Sequence, residues 1–107
     1  MSKIYGEILA LIEAGEIQIS LHGYDELVQD NIYVRDIVDS AREAKVVEEY
    51  PGFPKGPCVL VLQKDRGGRP IHVVWGIPKG LSTPAVLITA YRPDPDRWND
   101  SFTGRKR

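Results

Sequence analysis

One cysteine, Cys58, and two histidines far apart in sequence, His22 and His72, are all the thiol and imidazole groups this chain offers. A lone thiol excludes an internal disulfide, and the set is too small for a conventional structural zinc site. Cys58 lies inside the apolar run Cys58-Val59-Leu60-Val61-Leu62. There a thiol serves as a small hydrophobe and lacks the electropositive setting of a reactive one. No glycine-rich phosphate loop and no nucleophile elbow is present, so no metal and no cofactor is expected. No apolar stretch approaches the roughly 20 residues of a membrane helix, so no membrane partner is expected. The N-terminus, Met1 to Glu7, carries an acid early and no small-residue cleavage pattern. It reads as no signal peptide, and the cytoplasm is the expected location.

What is there suits a single domain spanning residues 1–107, with a core large enough to do without a covalent staple. The formal net charge is −1 but it is unevenly spread. Through Phe53 there are four Lys/Arg against eleven Asp/Glu; from Pro54 onward there are ten against four. A basic second half can face phosphate while the acidic half faces away, or the halves can attract each other across the fold.

Ile4, Ile8, Leu11 and Ile12 share one helical face, and Gly15 reads as the stop. Ile17-Gln18-Ile19 alternates briefly, as a short strand or an extended link. Ser20 is a helix N-cap candidate, with His22 in the first turn, Leu27 and Val28 toward the core, and Asp30-Asn31 at the end. A third helix runs from about Val34 to Glu43, with Val34, Ile37, Val38 and Ala41 on its apolar face. Strands are expected near Val46–Tyr50, Cys58–Lys64, Ile71–Ile77 and Ala85–Arg92, with a hairpin turn at Asp65-Arg66-Gly67-Gly68. Pro93-Asp94-Pro95 stops the last strand. Residues 99–107 read as a basic tail open to disorder. The expected fold is α+β, with N-terminal helices on one face of a four-stranded, mainly antiparallel sheet. The apolar strand Val59–Leu62 implies a second face that is covered too, by the tail, a second subunit or a partner.

Metal-free phosphodiester cleavage needs a base, a proton donor and cations around the phosphorus. His22, His72 and Tyr91 are the candidate catalytic residues. Lys64, Arg66, Arg69, Arg92 and Arg97 are the candidate phosphate or RNA ligands. Each also has a plain structural reading: a hydrogen-bonded strand histidine, a helix-tying histidine, solvated turn cations. Trp98 and Tyr50 either stack on bases or finish a core. Glu48 and Glu49 point to opposite sheet faces, so they form no paired-carboxylate site. Asp94 and Asp96 flank Pro95, where turn formation is their commoner role.

Several of these residues fall in a recognisable succession. Ser20-Leu21-His22 opens a helix, Gly68-Arg69-Pro70-Ile71-His72-Val73-Val74 forms a middle strand, and Tyr91-Arg92-Pro93-Asp94-Pro95-Asp96-Arg97-Trp98 closes the set. This resembles a prokaryotic domain family of unknown function with the pattern S-x-H, then G-R-P-L-H-V-V, then Y-x-P-D-P-x-x-W. That family is grouped with RelE/ParE-like toxins. The resemblance implies a RelE/ParE-like fold and a toxin of a toxin–antitoxin pair, acting as a metal-independent endoribonuclease or translation inhibitor. It implies an antitoxin partner of zinc-finger or DNA-binding type, and RNA or the ribosome as target. It carries over to His22, Arg69, His72, Tyr91 and Trp98. Relatives usually carry arginines four and eight residues after the first histidine, where this chain has Glu26 and Asp30. That exchange, near-neutral charge and the two-faced apolar strand favour an alternative, a non-catalytic interaction module that pairs with a partner or with itself.

Overall fold

Short polar side chains set where the helices begin. In the computed structural model, which describes residues 2–106, the Ser2 hydroxyl accepts from the Tyr5 N–H and opens α1, Lys3–Glu13. Gly15, at φ 77°, ends it in a left-handed conformation. After β1, Ile17–Ile19, the Ser20 hydroxyl accepts from the Gly23 N–H at 2.9 Å and opens α2, Leu21–Gln29. Asn31 takes the left-handed turn beyond α2, at φ 54°. Then come α3, Val34–Ser40, and one 3₁₀ turn, Ala41–Glu43. The strands β2 (Lys45–Tyr50), β3 (Cys58–Lys64), β4 (Pro70–Gly76) and β5 (Ala85–Tyr91) follow.

The expected RelE/ParE-like, four-stranded, mainly antiparallel sheet is corrected by the topology. Among the described residues the sheet has five strands in the order β1-β5-β4-β3-β2 and is mixed. β2 to β5 are antiparallel neighbours, but β1 runs parallel to β5, with Ile17 opposite Ala85. Three residues, Ile17-Gln18-Ile19, read as a short strand or an extended link, carry too little pattern to place them in the sheet. What recruits the segment is β5, whose outer edge would otherwise expose its backbone groups. The Ala85 N–H donates to the Glu16 carbonyl, the Ser20 N–H to Leu87, and the Ser20 hydroxyl to Ile88. Ser20 thus caps α2 and fastens it to β5. The contact is close enough that a Cβ on Gly23 would meet the Leu87 carbonyl oxygen at 2.8 Å.

The helices lie on one sheet face. Tyr5, Ile8, Ile12, Leu27 and Ile37 pack against Val59, Val61, Ile71, Val73, Trp75 and Leu87. Val28, expected inward beside Leu27, is 67% exposed. Neighbours on a helix diverge by about 100°, and Leu27 takes the core position. Buried polar groups fix the register of the helices. The Trp75 indole donates to Gln63 Oε1 at 2.9 Å, while the Gln63 amide donates to the Ile37 carbonyl and to Ser40 Oγ. The Tyr5 hydroxyl donates to the Ala41 carbonyl.

On the opposite face the chain's own tail covers His72. Residues 97–106 double back as a small hairpin: the Lys106 N–H donates to the Arg97 carbonyl, and Asn99 bonds Gly104. Trp98 is buried against His72, and Arg105 stacks on Trp98 while pairing with Glu48. Arg107, the last residue of the basic tail, lies outside the described residues. No helix among them is long and apolar enough to cross a membrane.

Candidate functional site

The β3–β4 turn, Asp65 to Arg69, approaches the start of α3 and the C-terminal end of β5. Their side chains line a cleft of about 370 Å³ formed by Asn31, Tyr33, Arg35, Asp36, Asp65, Arg66, Gly67, Arg69 and Arg92. Gly68, at φ 81°, gives the turn its left-handed step. The Arg69 N–H donates to Asp65 Oδ1 at 2.9 Å, closing the turn. Arg92 reaches the same carboxylate, with Nη2 2.9 Å from Asp65 Oδ2 and Nη1 donating to the Pro70 carbonyl. Burial alone would raise the Asp65 carboxyl; the Arg69 N–H and the Arg92 guanidinium outweigh it and hold the group below the usual carboxylate range. Asp65 is therefore an anchor that orients Arg92.

Arg66 contacts Asp36 Oδ1 through Nε at 3.4 Å and is largely exposed. Among the described residues Arg35 and Arg69 form no ion pair. Arg92 Nε is buried without a hydrogen-bond partner. Four guanidinium groups face two carboxylates; Arg92 is committed to Asp65 and Pro70, and Arg35, Arg66 and Arg69 keep donors for a phosphate or carboxylate ligand. Tyr33, 64% exposed on the cleft wall, presents an aromatic surface beside them.

Arg92 also lines a second cleft, of about 740 Å³, with Tyr91, Asp94, Asp96, Arg97, Trp98, Arg105 and Lys106. The two clefts meet at Arg92 and together present seven cations and four carboxylates. Of the five cations read from sequence, Arg66, Arg69 and Arg92 converge on the first cleft and Arg97 joins the second, where it lies 3.9 Å from Asp94. Lys64 does not line either cleft; it lines a groove with Ser40, Glu43 and Phe102 and a smaller one with Asp36, Asp65 and Arg66 beside the arginine cleft. Arg35 and Tyr33 were not read as site residues. No spacing links position 35 to positions 66–69; only the packing of α3 against the sheet brings them together.

The three candidate catalytic residues divide. His72 and Tyr91 are cross-strand partners on β4 and β5, with Nδ1 3.3 Å from the Tyr91 hydroxyl. His72 Nε2 lies 2.7 Å from the Phe102 carbonyl. A carbonyl can only accept, so Nε2 carries the proton and Nδ1 accepts from Tyr91. The ring is 0% exposed and meets Trp98 edge-on at 4.4 Å. Burial pushes its pKa below the ordinary 6.5; the Phe102 bond opposes this and the Arg105 charge adds to it. Burial likewise raises the Tyr91 hydroxyl above its ordinary 10.0. His22 sits elsewhere, exposed at the start of α2, 3.6 Å from Glu26 and on the wall of an apolar pocket. Of the departures from the family pattern, Glu26 pairs with His22 and Asp30 accepts from the Arg92 N–H at 3.0 Å, beside the arginine cleft.

The family model of a domain of unknown function, DUF4258, matches residues 19–92. That span runs from the end of β1 through Arg92 and includes the whole lining of the arginine cleft. No curated protein and no solved structure matches the chain.

Proposed function

We propose that this chain, which belongs to the DUF4258 family, is a toxin-type translation inhibitor that holds single-stranded RNA by its phosphates. The observation that carries the reading is the convergence of Arg35, Arg66, Arg69 and Arg92 on one cleft, continued past Arg92 by Arg97, Arg105 and Lys106. Guanidinium groups match phosphate oxygens in bidentate geometry, and their affinity is tied to counterion release rather than sequence. Tyr33 supplies a stacking surface for a base next to the held phosphate. RNA, alone or in the ribosome, is the target, and an antitoxin of zinc-finger or DNA-binding type is the partner that relieves inhibition.

Binding is a better reading than cleavage. His72 has both nitrogens engaged beneath the tail hairpin, so it meets no substrate while that hairpin is seated. His22 lines a different, apolar pocket, away from the arginines. A phosphodiester in the cleft therefore has cations around it and neither histidine beside it. In a cell-free translation reaction, folded wild-type protein is expected to stop synthesis while the mRNA stays full length, and Arg66→Ala/Arg69→Ala to permit synthesis. Undiminished synthesis with the wild type refutes the proposal. Cut mRNA, abolished by His72→Ala, restores the ribonuclease reading.

A further inference from the structure

The arginine cleft carries more positive charge than one internal phosphate can use. With Arg92 taken up by Asp65, its lining leaves Arg35, Arg66 and Arg69 against a single carboxylate, Asp36. Three cations and one anion leave two uncompensated positive charges. An internal phosphodiester brings one negative charge and two free oxygens. A terminal phosphate monoester brings about two charges and three acceptor oxygens, one for each guanidinium that keeps its donors.

Two neighbouring grooves meet the cleft, one at Arg92 and one at Arg66, and they differ in sign. Past Arg92 the lining adds Arg97, Arg105 and Lys106 against Asp94 and Asp96, with Arg105 also set against Glu48. Past Arg66 a smaller groove of about 230 Å³ adds Asp39 and Glu43 against Lys64. Neither of these two acids is in an ion pair among the described residues. A polyanionic strand can leave by the first groove. In the second its next phosphate meets two carboxylates for one ammonium.

We propose that the arginine cleft receives the phosphorylated end of an RNA strand, as a terminal monoester, and that the rest of the strand leaves past Arg92. The inference rests on the RNA reading above and narrows it from any phosphate along the strand to the last one. Arg35, Arg66 and Arg69 take the outer oxygens of that phosphate, and the terminal base stacks on Tyr33. Asp39 and Glu43 turn away a strand that continues in the other direction, so the choice of an end over an internal segment comes from repulsion as well as attraction.

Competition against a labelled single-stranded RNA at about 50 mM salt tests it. The unlabelled competitors are oligouridines of one length that carry a 5′-phosphate, a 3′-phosphate or hydroxyls at both ends. One phosphorylated oligomer is expected to compete at least about tenfold better than the hydroxyl-ended one, and which one sets the polarity of the strand. The preference is expected to vanish in Arg35→Ala/Arg69→Ala, at two exposed positions, with the fold checked by circular dichroism. It is expected to narrow in Asp39→Asn/Glu43→Gln, also exposed, through stronger binding of the hydroxyl-ended strand. Three competitors of equal strength overturn the proposal and leave the RNA reading standing, whereas a wild type that binds no RNA overturns both. A preference that Arg35→Ala/Arg69→Ala retains also overturns the proposal, because the end then sits elsewhere.

Discussion

His72 binds its proton on one nitrogen and accepts Tyr91 on the other, fully buried from solvent, so its titration is coupled to folding. Its folded pKa lies below the ordinary 6.5. The native state therefore binds fewer protons than the unfolded chain as pH falls below 6.5. The stabilisation is complete above 6.5 and is lost as pH drops from there toward the folded value. Urea unfolding at steps from pH 7.5 to 5.5 is expected to show wild-type stability falling, while His72→Gln, weaker at pH 7.5, stays flatter. Equal slopes for the two proteins would show that the ring is not held neutral. The alternation around Ile71-His72-Val73 made the outward direction of His72 legible in the sequence. Its burial was not, because that depends on where Trp98 and Phe102 return, about 30 residues along the chain. The same limit applies to Arg35, whose partners in the cleft come from the far side of the β3–β4 hairpin.

At the scale of elements, periodicity and capping foretold most of the helices and strands but not the five-stranded mixed sheet they build. Ser20 and Gly15 act as start and stop, Ile8, Ile12, Ile37 and Ala41 of the expected apolar faces are buried with Ile4, Leu11, Val34 and Val38 half-buried beside them, and β3 and β4 fall within a residue or so of their expected bounds. Ile17–Ile19 was read as a short strand or an extended link, but its parallel pairing was not legible, because that comes from the open edge of β5 rather than from its own composition. The hairpin at 97–106 is the element most exposed to test. Trp98 is its main apolar contact, 5% exposed, held between His72 and Arg105. Trp98→Ala is expected to cost about 3 kcal/mol in urea unfolding and to open His72, so that its NMR-monitored pKa rises toward 6.5. A change below about 0.5 kcal/mol, in the range of surface substitutions, would mean that the hairpin is not part of the folded unit.

For the whole molecule, the split between an acidic first half and a basic second half is not a simple division into two faces. Arg35 from the acidic half joins the arginine cleft, and Asp30 accepts from the Arg92 backbone beside it. Glu48 of β2 pairs with Arg105 of the tail. Some of the opposite charge therefore serves internal attraction. What is left unpaired gathers at Arg35 and Arg69, beside the exposed Arg66 that contacts Asp36, and net charge alone, at −1, gave no sign of it. The overall charge is near balance, yet one cleft is strongly cationic, and affinity for phosphate follows the local field.

The most direct measurement is the salt dependence of single-stranded RNA binding by fluorescence anisotropy, comparing wild type with Arg66→Ala/Arg69→Ala. A phosphate-binding cleft predicts a straight line of log affinity against log salt. It also predicts that the double variant binds more weakly and has a slope shallower by about 1.4, the value for two lost phosphate contacts on a single strand. An unchanged slope and affinity in the variant, or no wild-type binding at about 50 mM salt, would contradict the assignment of this cleft to RNA.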